Sequence, residues 1–272
     1  MRALRLGLAL VILLVPHLRA ISDTQVSGTV STSATWTLAG SPYLVTGDVL
    51  VEGGSSPVLT IEPGVTVKFA SGTGLFVGYG DTGGLQAVGT SANPITFTSN
   101  DANPASGSWR CIGFSSLALP TSHLAHATVT WAGSYENTGI YIDRSSPTLE
   151  NLMVANSSGT GITVTGAGAS PTISSTSLTD NSGVGLNLTD SATASLTGLT
   201  TTGNGGFAIS QDPGITLSAA SGLVAQGNGV DAIEHRNGFV ATTTTWKKTE
   251  LPYVSTGYLL VADASSPVLT IE

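Results

Sequence analysis

Thr35–Glu62 reads TWTLAGSPYLVTGDVLVEGGSSPVLTIE, and Thr245–Glu272 reads TWKKTELPYVSTGYLLVADASSPVLTIE. The offset is 210 residues throughout, no gap is needed, and 16 of the 28 positions are identical. Between the two copies runs a shorter beat of Asn followed closely by Gly. Its members are Asn156, Asn181, Asn204 and Asn228, spaced 25, 23 and 24 residues apart. A period of about 20–50 residues marks stacked units, none of which can bury its own apolar face alone.

Each beat is built from short strands. After Asn181, Asn204 and Asn228 the chain reads Val184-Gly-Leu-Asn-Leu188, Phe207-Ala-Ile-Ser210 and Asp231-Ala-Ile-Glu234. Apolar residues fall mostly on alternate positions, so one face of each strand points in and the other out. Earlier units, Gly161–Val164 after Asn156 and Gly139–Ile142 after Asn137, fit with a shift of one residue. Further short runs such as Pro171–Ser174 and Ser177–Thr179 bring each beat to three strands and three turns. That is one coil of a β-solenoid, with parallel strands about 4.8 Å apart and a right-handed crossover. The predicted fold is an all-β, right-handed parallel β-helix of three sheets.

The Asn residues of the beat predict a structural ladder. Equivalent side chains stack along the axis at one turn, and Asn tolerates the left-handed backbone that such turns need. Asn156, Asn181, Asn204 and Asn228 are its expected rungs.

The organisation along the chain follows. Residues 1–20 read as an export signal: Arg2 and Arg5, then the apolar run Leu6–Val15, then Pro16 and a small residue at Ala20. Ten apolar residues are too few to span a bilayer core, which needs about 20. Residues 21–237 read as the β-helix, with an N-terminal section to about 120 and regular coils over 121–237. In that N-terminal section, Asn100–Ser108 is a polar loop on the outside of a coil. Residues 238–272 read as the start of a second, truncated β-helix section. Glu272 stands where Glu62 is followed by Pro63-Gly-Val-Thr-Val-Lys-Phe69, and nothing after Asn237 has the composition of a cap. The chain is therefore expected to be a fragment of a longer protein, loosely packed after about 237. It is expected to be a monomer in full-length context and to self-associate as a fragment.

Composition narrows the partners. Without Arg2, Arg5 and Arg19 (9 basic residues less 3), 6 basic residues stand against 17 acidic ones, a net charge of −11. Such a surface repels nucleic acid and anionic lipid. The single Cys111 lies in an apolar run, Trp109–Phe114, and reads as a buried, inert thiol. Charged residues are only 10% of the chain while the apolar fraction is 40% and regularly placed, which suits short strands and tight turns and excludes disorder.

Several stretches, among them ITFTS, SWRCIGF, TVTWAGS and SSPTLENLMVANSSGTGI, resemble secreted bacterial right-handed parallel β-helix repeat proteins of the pectate-lyase-like superfamily. The resemblance covers about residues 31–272. It implies an extracytoplasmic protein, secreted or at the cell surface, acting on or binding polysaccharide or another surface polymer. It does not choose an activity, because function lives in a site and not in the fold. The polygalacturonase motifs Asn-Thr-Asp, Asp-Asp, Gly-His-Gly and Arg-Ile-Lys are absent, as is the pectate-lyase signature around Trp-Ile-Asp-His. No Asp cluster suited to calcium is present in the sequence pattern, so no metal or cofactor is expected.

The remaining constellation comes from stacking. Outward positions line up as Thr163, Asn187, Ser210, Glu234, and one step on as Thr165, Thr189, Asp212, Arg236. Asp212 and Glu234 then lie on a diagonal of about 8 Å, within the spacing of an inverting glycosidase pair, with Arg236 beside them. The same residues also read as a surface ion pair of little energetic worth. Gly78–Gly84 reads as a plain turn. Trp36, Trp109, Trp131 and Trp246 are the residues that could stack on sugar rings, although Trp36 and Trp246 fit packing better. The expected function is a binding or structural module. The alternative is a polysaccharide lyase or inverting glycoside hydrolase using Asp212, Glu234 and Arg236.

Overall fold

The computed structural model describes residues 23–272; the signal expected over residues 1–20 lies outside them. Short strands follow one another along the chain, and the only helical element among the described residues is a single 3-10 turn, Leu38–Gly40. No helix there is long and apolar enough to cross a membrane.

The strands stack in parallel on three faces. On the first face, residues 28, 49, 75, 112, 140, 162, 186, 209 and 233 lie in one register column. Successive coils from Ile140 to Ile233 thus take 22, 24, 23 and 24 residues, close to the beat of the sequence. The coils before Ile140 are less even. The longest, from Leu75 to Ile112, carries the loop Asn100–Ser108 outside the strand stack.

Alternation decides which residues enter the core. One inward column of this face runs Val51, Val77, Phe114, Ile142, Val164, Leu188, each fully buried on the one before. Close-packed β-branched and aromatic side chains of this kind supply the main driving force for a solenoid. The column then changes character: its next two members are Gln211 and His235, both buried. Trp109 is also fully buried and stacks on Phe69 with ring centroids 4.0 Å apart.

The Asn ladder forms, with three rungs of the expected four. Asn181 Nδ2 donates to Asn204 Oδ1 at 2.9 Å, and Asn204 Nδ2 donates to Asn228 Oδ1 at 2.7 Å. Asn156 is not a rung. The one-residue shift in the earlier coils puts Ser157 in the column, and its backbone N–H donates to Asn181 Oδ1 at 3.0 Å. Against expectation, the rungs themselves are not left-handed. The left-handed residues stand one position before the rungs, at Asp180 (φ 52°), Gly203 (φ 67°) and Gly227 (φ 67°). Asn156 (φ 58°) belongs to that neighbouring column. The rungs are Asn because their amides satisfy backbone groups at a buried corner, not because they are left-handed.

The two long repeats form the same structure. Trp36 pairs with Ile61 and Trp246 with Ile271, in the same register. Ser56 and Ser266 both have φ 53°. Glu62 N–H donates to Trp36 O at 3.0 Å, and Glu272 N–H to Trp246 O at 3.1 Å. Residues 238–261 extend the match, since Gly238 pairs with Leu259 as Gly28 pairs with Val49. The strands Gly238–Val240 and Thr244–Trp246 sit in two-stranded sheets of their own, with Leu259–Val261 and Leu269–Ile271. Ile233–His235 joins this unit to the main stack by pairing with Tyr253–Ser255. Trp246 is buried there, whereas Phe239, Tyr258, Val268 and Ile271 are exposed.

Candidate functional site

The outward column of the first face is continuous from end to end. It runs Leu50, Phe76, Gly113, Tyr141, Thr163, Asn187, Ser210, Glu234. The register read from the sequence for Thr163, Asn187, Ser210 and Glu234 is therefore the register of the molecule. The column divides into an aromatic stretch and a polar one.

At the polar end, Arg236 spends all five of its N–H donors on the two preceding coils. Nε and Nη2 donate to Asp212 Oδ1 at 3.1 and 2.9 Å. Nη1 donates to Asn187 Oδ1 and to Ser210 Oγ, both at 2.6 Å. Nη2 also donates to Leu188 O at 2.6 Å. The second oxygen of Asp212 accepts the backbone N–H of Asp190 at 2.9 Å. Glu234 accepts from Ser210 Oγ on one oxygen and from Thr256 Oγ1 at 2.7 Å on the other. The structure brings Asp212 and Arg236 together as an ion pair and ties Glu234 to hydroxyls. Behind them His235 is wholly buried, its ring 3.6 Å from that of Trp246. Burial lowers its pKa to about 4, an effect that a hydrogen bond with the Asp212 backbone opposes and the Arg236 charge reinforces.

At the other end, Phe76, Tyr79, Tyr135 and Tyr141 form a chain of edge contacts. Ring centroids are 6.1 Å apart for Phe76 and Tyr79, 5.6 Å for Phe76 and Tyr135, and 6.4 Å for Tyr135 and Tyr141. Such tilted pairs are favoured by the ring quadrupoles. Tyr79 is 60% exposed. It is held out by the turn Gly78–Gly84, in which Gly78 is left-handed (φ 68°) and packed so closely that a Cβ there would strike the backbone of Ala118. Phe76 lies over Gly113, where an added Cβ would come within 2.7 Å of the ring. Arg110 sits 5.8 Å from the centre of the Tyr135 ring and donates to Asp48 Oδ2 at 2.6 Å. Burial, then the neighbouring Tyr79, push the Tyr135 hydroxyl up to about 12, and burial raises Tyr141 as well. Both are neutral hydrogen-bonding phenols at ordinary pH.

Three adjoining hollows follow this face. The first, 190 Å³, is bounded by Asp48, Leu50, Phe76, Tyr79, Arg110 and Tyr135. The second, 300 Å³, shares Phe76, Tyr79 and Tyr135 with it and reaches Tyr141 and Arg144. The third, 350 Å³, shares Tyr141 and runs on past Thr163 and Asn187 to Asp190. The groove thus crosses six coils, about 24 Å at the strand spacing.

Of the four tryptophans that could stack on sugar rings, three are packed inside, as expected for Trp36 and Trp246. Trp36, Trp109 and Trp246 are buried. The exposed platform is tyrosine, and its signal in the sequence is Tyr79 within the Gly-rich turn Gly78–Gly84. Cys111 is buried, and burial, with the nearby Glu136 charge adding to it, raises its pKa steeply, so the thiol is inert. Among the described residues no group of three or more His, Cys, Asp or Glu side chains could hold a metal ion.

Comparison with known proteins agrees with the coil geometry. Residues 28–117 match the model of a pectate-lyase-like β-helix domain, and residues 121–249 match that of the right-handed β-helix region. No curated protein matches the chain. Among solved structures, a mutant of the periplasmic alginate epimerase AlgG aligns with 92% of this chain and 75% of its own, at 9% identity and a TM-score of 0.34. The chain belongs to the right-handed parallel β-helix repeat proteins, with a pectate-lyase-like helix in its N-terminal part.

Proposed function

We propose that the protein is an exported carbohydrate-binding module that holds a polysaccharide lengthwise along the groove between Asp48 and Asp190. The observation that carries this is the union of the three hollows on one rigid face, floored by Phe76, Tyr79, Tyr135 and Tyr141. Aromatic faces pack the C–H faces of sugar rings, and the flanking Thr163, Asn187 and Thr165 offer hydrogen bonds to hydroxyls. A flat sheet presents these groups with little ordering left to do on binding. Export and a cell-surface or extracellular location rest on the sequence of residues 1–20.

No catalytic step is assigned to this face. Asp212 is engaged by Arg236 and by the Asp190 amide, and Glu234 by two hydroxyls. Screening the purified protein against immobilised and soluble polysaccharides, with a depolymerisation assay on the same panel, tests the reading. Binding that Tyr79→Ala weakens about tenfold is expected, without chain cleavage. Absence of binding to any glycan refutes it.

A further inference from the structure

We infer that this groove takes an uncharged glycan and rejects polyuronates; the inference rests on the groove being the glycan site. The argument is electrostatic. A polyuronate presents one carboxylate per sugar and needs unpaired cations to receive it. The chain has six basic residues in its described part, Lys68, Arg110, Arg144, Arg236, Lys247 and Lys248. Three of them reach this face, and each is already spent on a carboxylate of the same face. Arg110 is paired with Asp48 at 2.6 Å. Arg144 grips Asp143 with two bonds, at 3.0 and 2.7 Å. Arg236 is paired with Asp212 at 2.9 Å.

Carboxylates are then left over. Glu136 and Asp190 line the third hollow, and among the described residues neither meets a cationic partner there. A polyanion entering the groove would meet net negative charge at one end and neutralised pairs at the other. Removing any of the three arginines from its carboxylate to serve a ligand would free a second negative charge beside the first. The aromatic stretch has a different character. The carboxylates of its two hollows are both paired: Asp48 by Arg110 and by the Gly74 amide at 2.9 Å, and Asp143 by Arg144. Among the described residues, the charges lining these two hollows are all paired, so the stacking sugar meets rings, phenols and capped ion pairs there. That surface matches a neutral pyranose.

The test is affinity electrophoresis, followed by titration calorimetry, with four soluble probes. They are a neutral β-glucan, a neutral xylan, polygalacturonate with and without calcium, and a deacetylated chitin as polycation. Retention by at least one neutral polymer is expected, with little change between low and high salt, and weakened about tenfold by Tyr79→Ala. Polygalacturonate is expected to pass unretained in both conditions. The double variant Glu136→Gln, Asp190→Asn should reduce the exclusion of polygalacturonate, which it should retain more than the wild type does at low salt. Polygalacturonate binding as tightly as any neutral polymer, with or without calcium, overturns the inference while sparing the glycan-binding reading. So does salt-sensitive binding of the polycation alone. Failure of all four probes removes the glycan-binding reading itself, and the inference with it.

Discussion

Asp231 Oδ1 accepts two hydrogen bonds from Asn228, one from its backbone N–H at 2.9 Å and one from Nδ2 at 2.7 Å. That is the same pair of bonds that Asn228 Oδ1 accepts from Asn204, at 3.1 and 2.7 Å. Asp231 therefore occupies the place of the next rung and closes the ladder from within its own coil. These bonds from Asn228 lower its carboxyl pKa, so the cap is strongest when ionised. Asp231→Asn keeps an acceptor oxygen and should melt between the wild type and Asp231→Ala. Thermal melts at neutral pH check the order, and equal melting of all three proteins would show that the cap contributes nothing.

Within the ladder the cost should follow the bonding and not the sequence beat. Asn204 uses its whole side chain: Oδ1 accepts from Asn181 N–H and Nδ2, and Nδ2 donates to Leu178 O and to Asn228 Oδ1. Asn204→Ala strands buried partners and should cost on the order of 1–3 kcal/mol. Asn156→Ala, one position off the ladder, should cost well under that. Urea unfolding of the two variants separates them, and comparable losses would contradict the register.

His235 gives the protein an acid-sensitive coil. Its folded pKa is about 4, below the ordinary value of 6.5, because burial against Trp246 disfavours the imidazolium. The unfolded chain then binds the extra proton first. Stability from this group is complete above about pH 6.5 and falls as the pH drops from there through 4, by up to about 3 kcal/mol. Urea unfolding measured from pH 7 down to pH 4.5 should show this slope, and His235→Phe should flatten it. A wild-type stability that is level over that range would contradict the assignment.

The coil register was legible because alternation and the Asn beat both report the same corner. Thr163, Asn187, Ser210 and Glu234 fell into column from spacing alone, since a one-residue slip would have turned Ile162, Leu186 and Ile209 out to water. The rung at Ser157 was not legible, because an Asn stood next to it and composition favours Asn. The site was less legible than the fold. Phe76 looks like a core residue by type, and only the pairing with Gly113 shows that it faces outward over a gap. Arg236 and Asp212 were found as neighbours, but the three other acceptors on Arg236 come from positions 26 to 49 residues away in sequence.

The gap over Gly113 is itself testable. Phe76 covers it, and Gly113→Ala places a methyl about 2.7 Å from the ring. The strand backbone at Gly113 is ordinary extended structure, so the substitution should leave the β-helix folded. The ring must tilt, and its edge contact with Tyr135 at 5.6 Å must open. Gly113→Ala should therefore weaken glycan retention severalfold while changing the melting temperature little. Unchanged retention would show that the Phe76 surface takes no part in the groove.

Arg236 provides the last prediction, because its two readings part company under substitution. As an exposed ion pair with Asp212 it would be worth about 0–1 kcal/mol, since both side chains stay partly open to water. As a five-donor clamp it also satisfies Leu188 O, Asn187 and Ser210, tying three successive coils together. Lysine keeps the charge but not the planar fan of donors. The clamp predicts that Arg236→Lys loses most of what Arg236→Ala loses, while Asp212→Asn loses much less than either. A pure ion pair predicts the opposite: lysine close to wild type, and Asp212→Asn as damaging as Arg236→Ala. Urea unfolding of the three variants, at low and high salt, decides between them. Salt should leave the Arg236→Ala deficit nearly unchanged if the neutral acceptors carry it. Glycan retention should fall less in all three than in Tyr79→Ala, because the aromatic floor of the groove lies several coils away, at Phe76 and Tyr79.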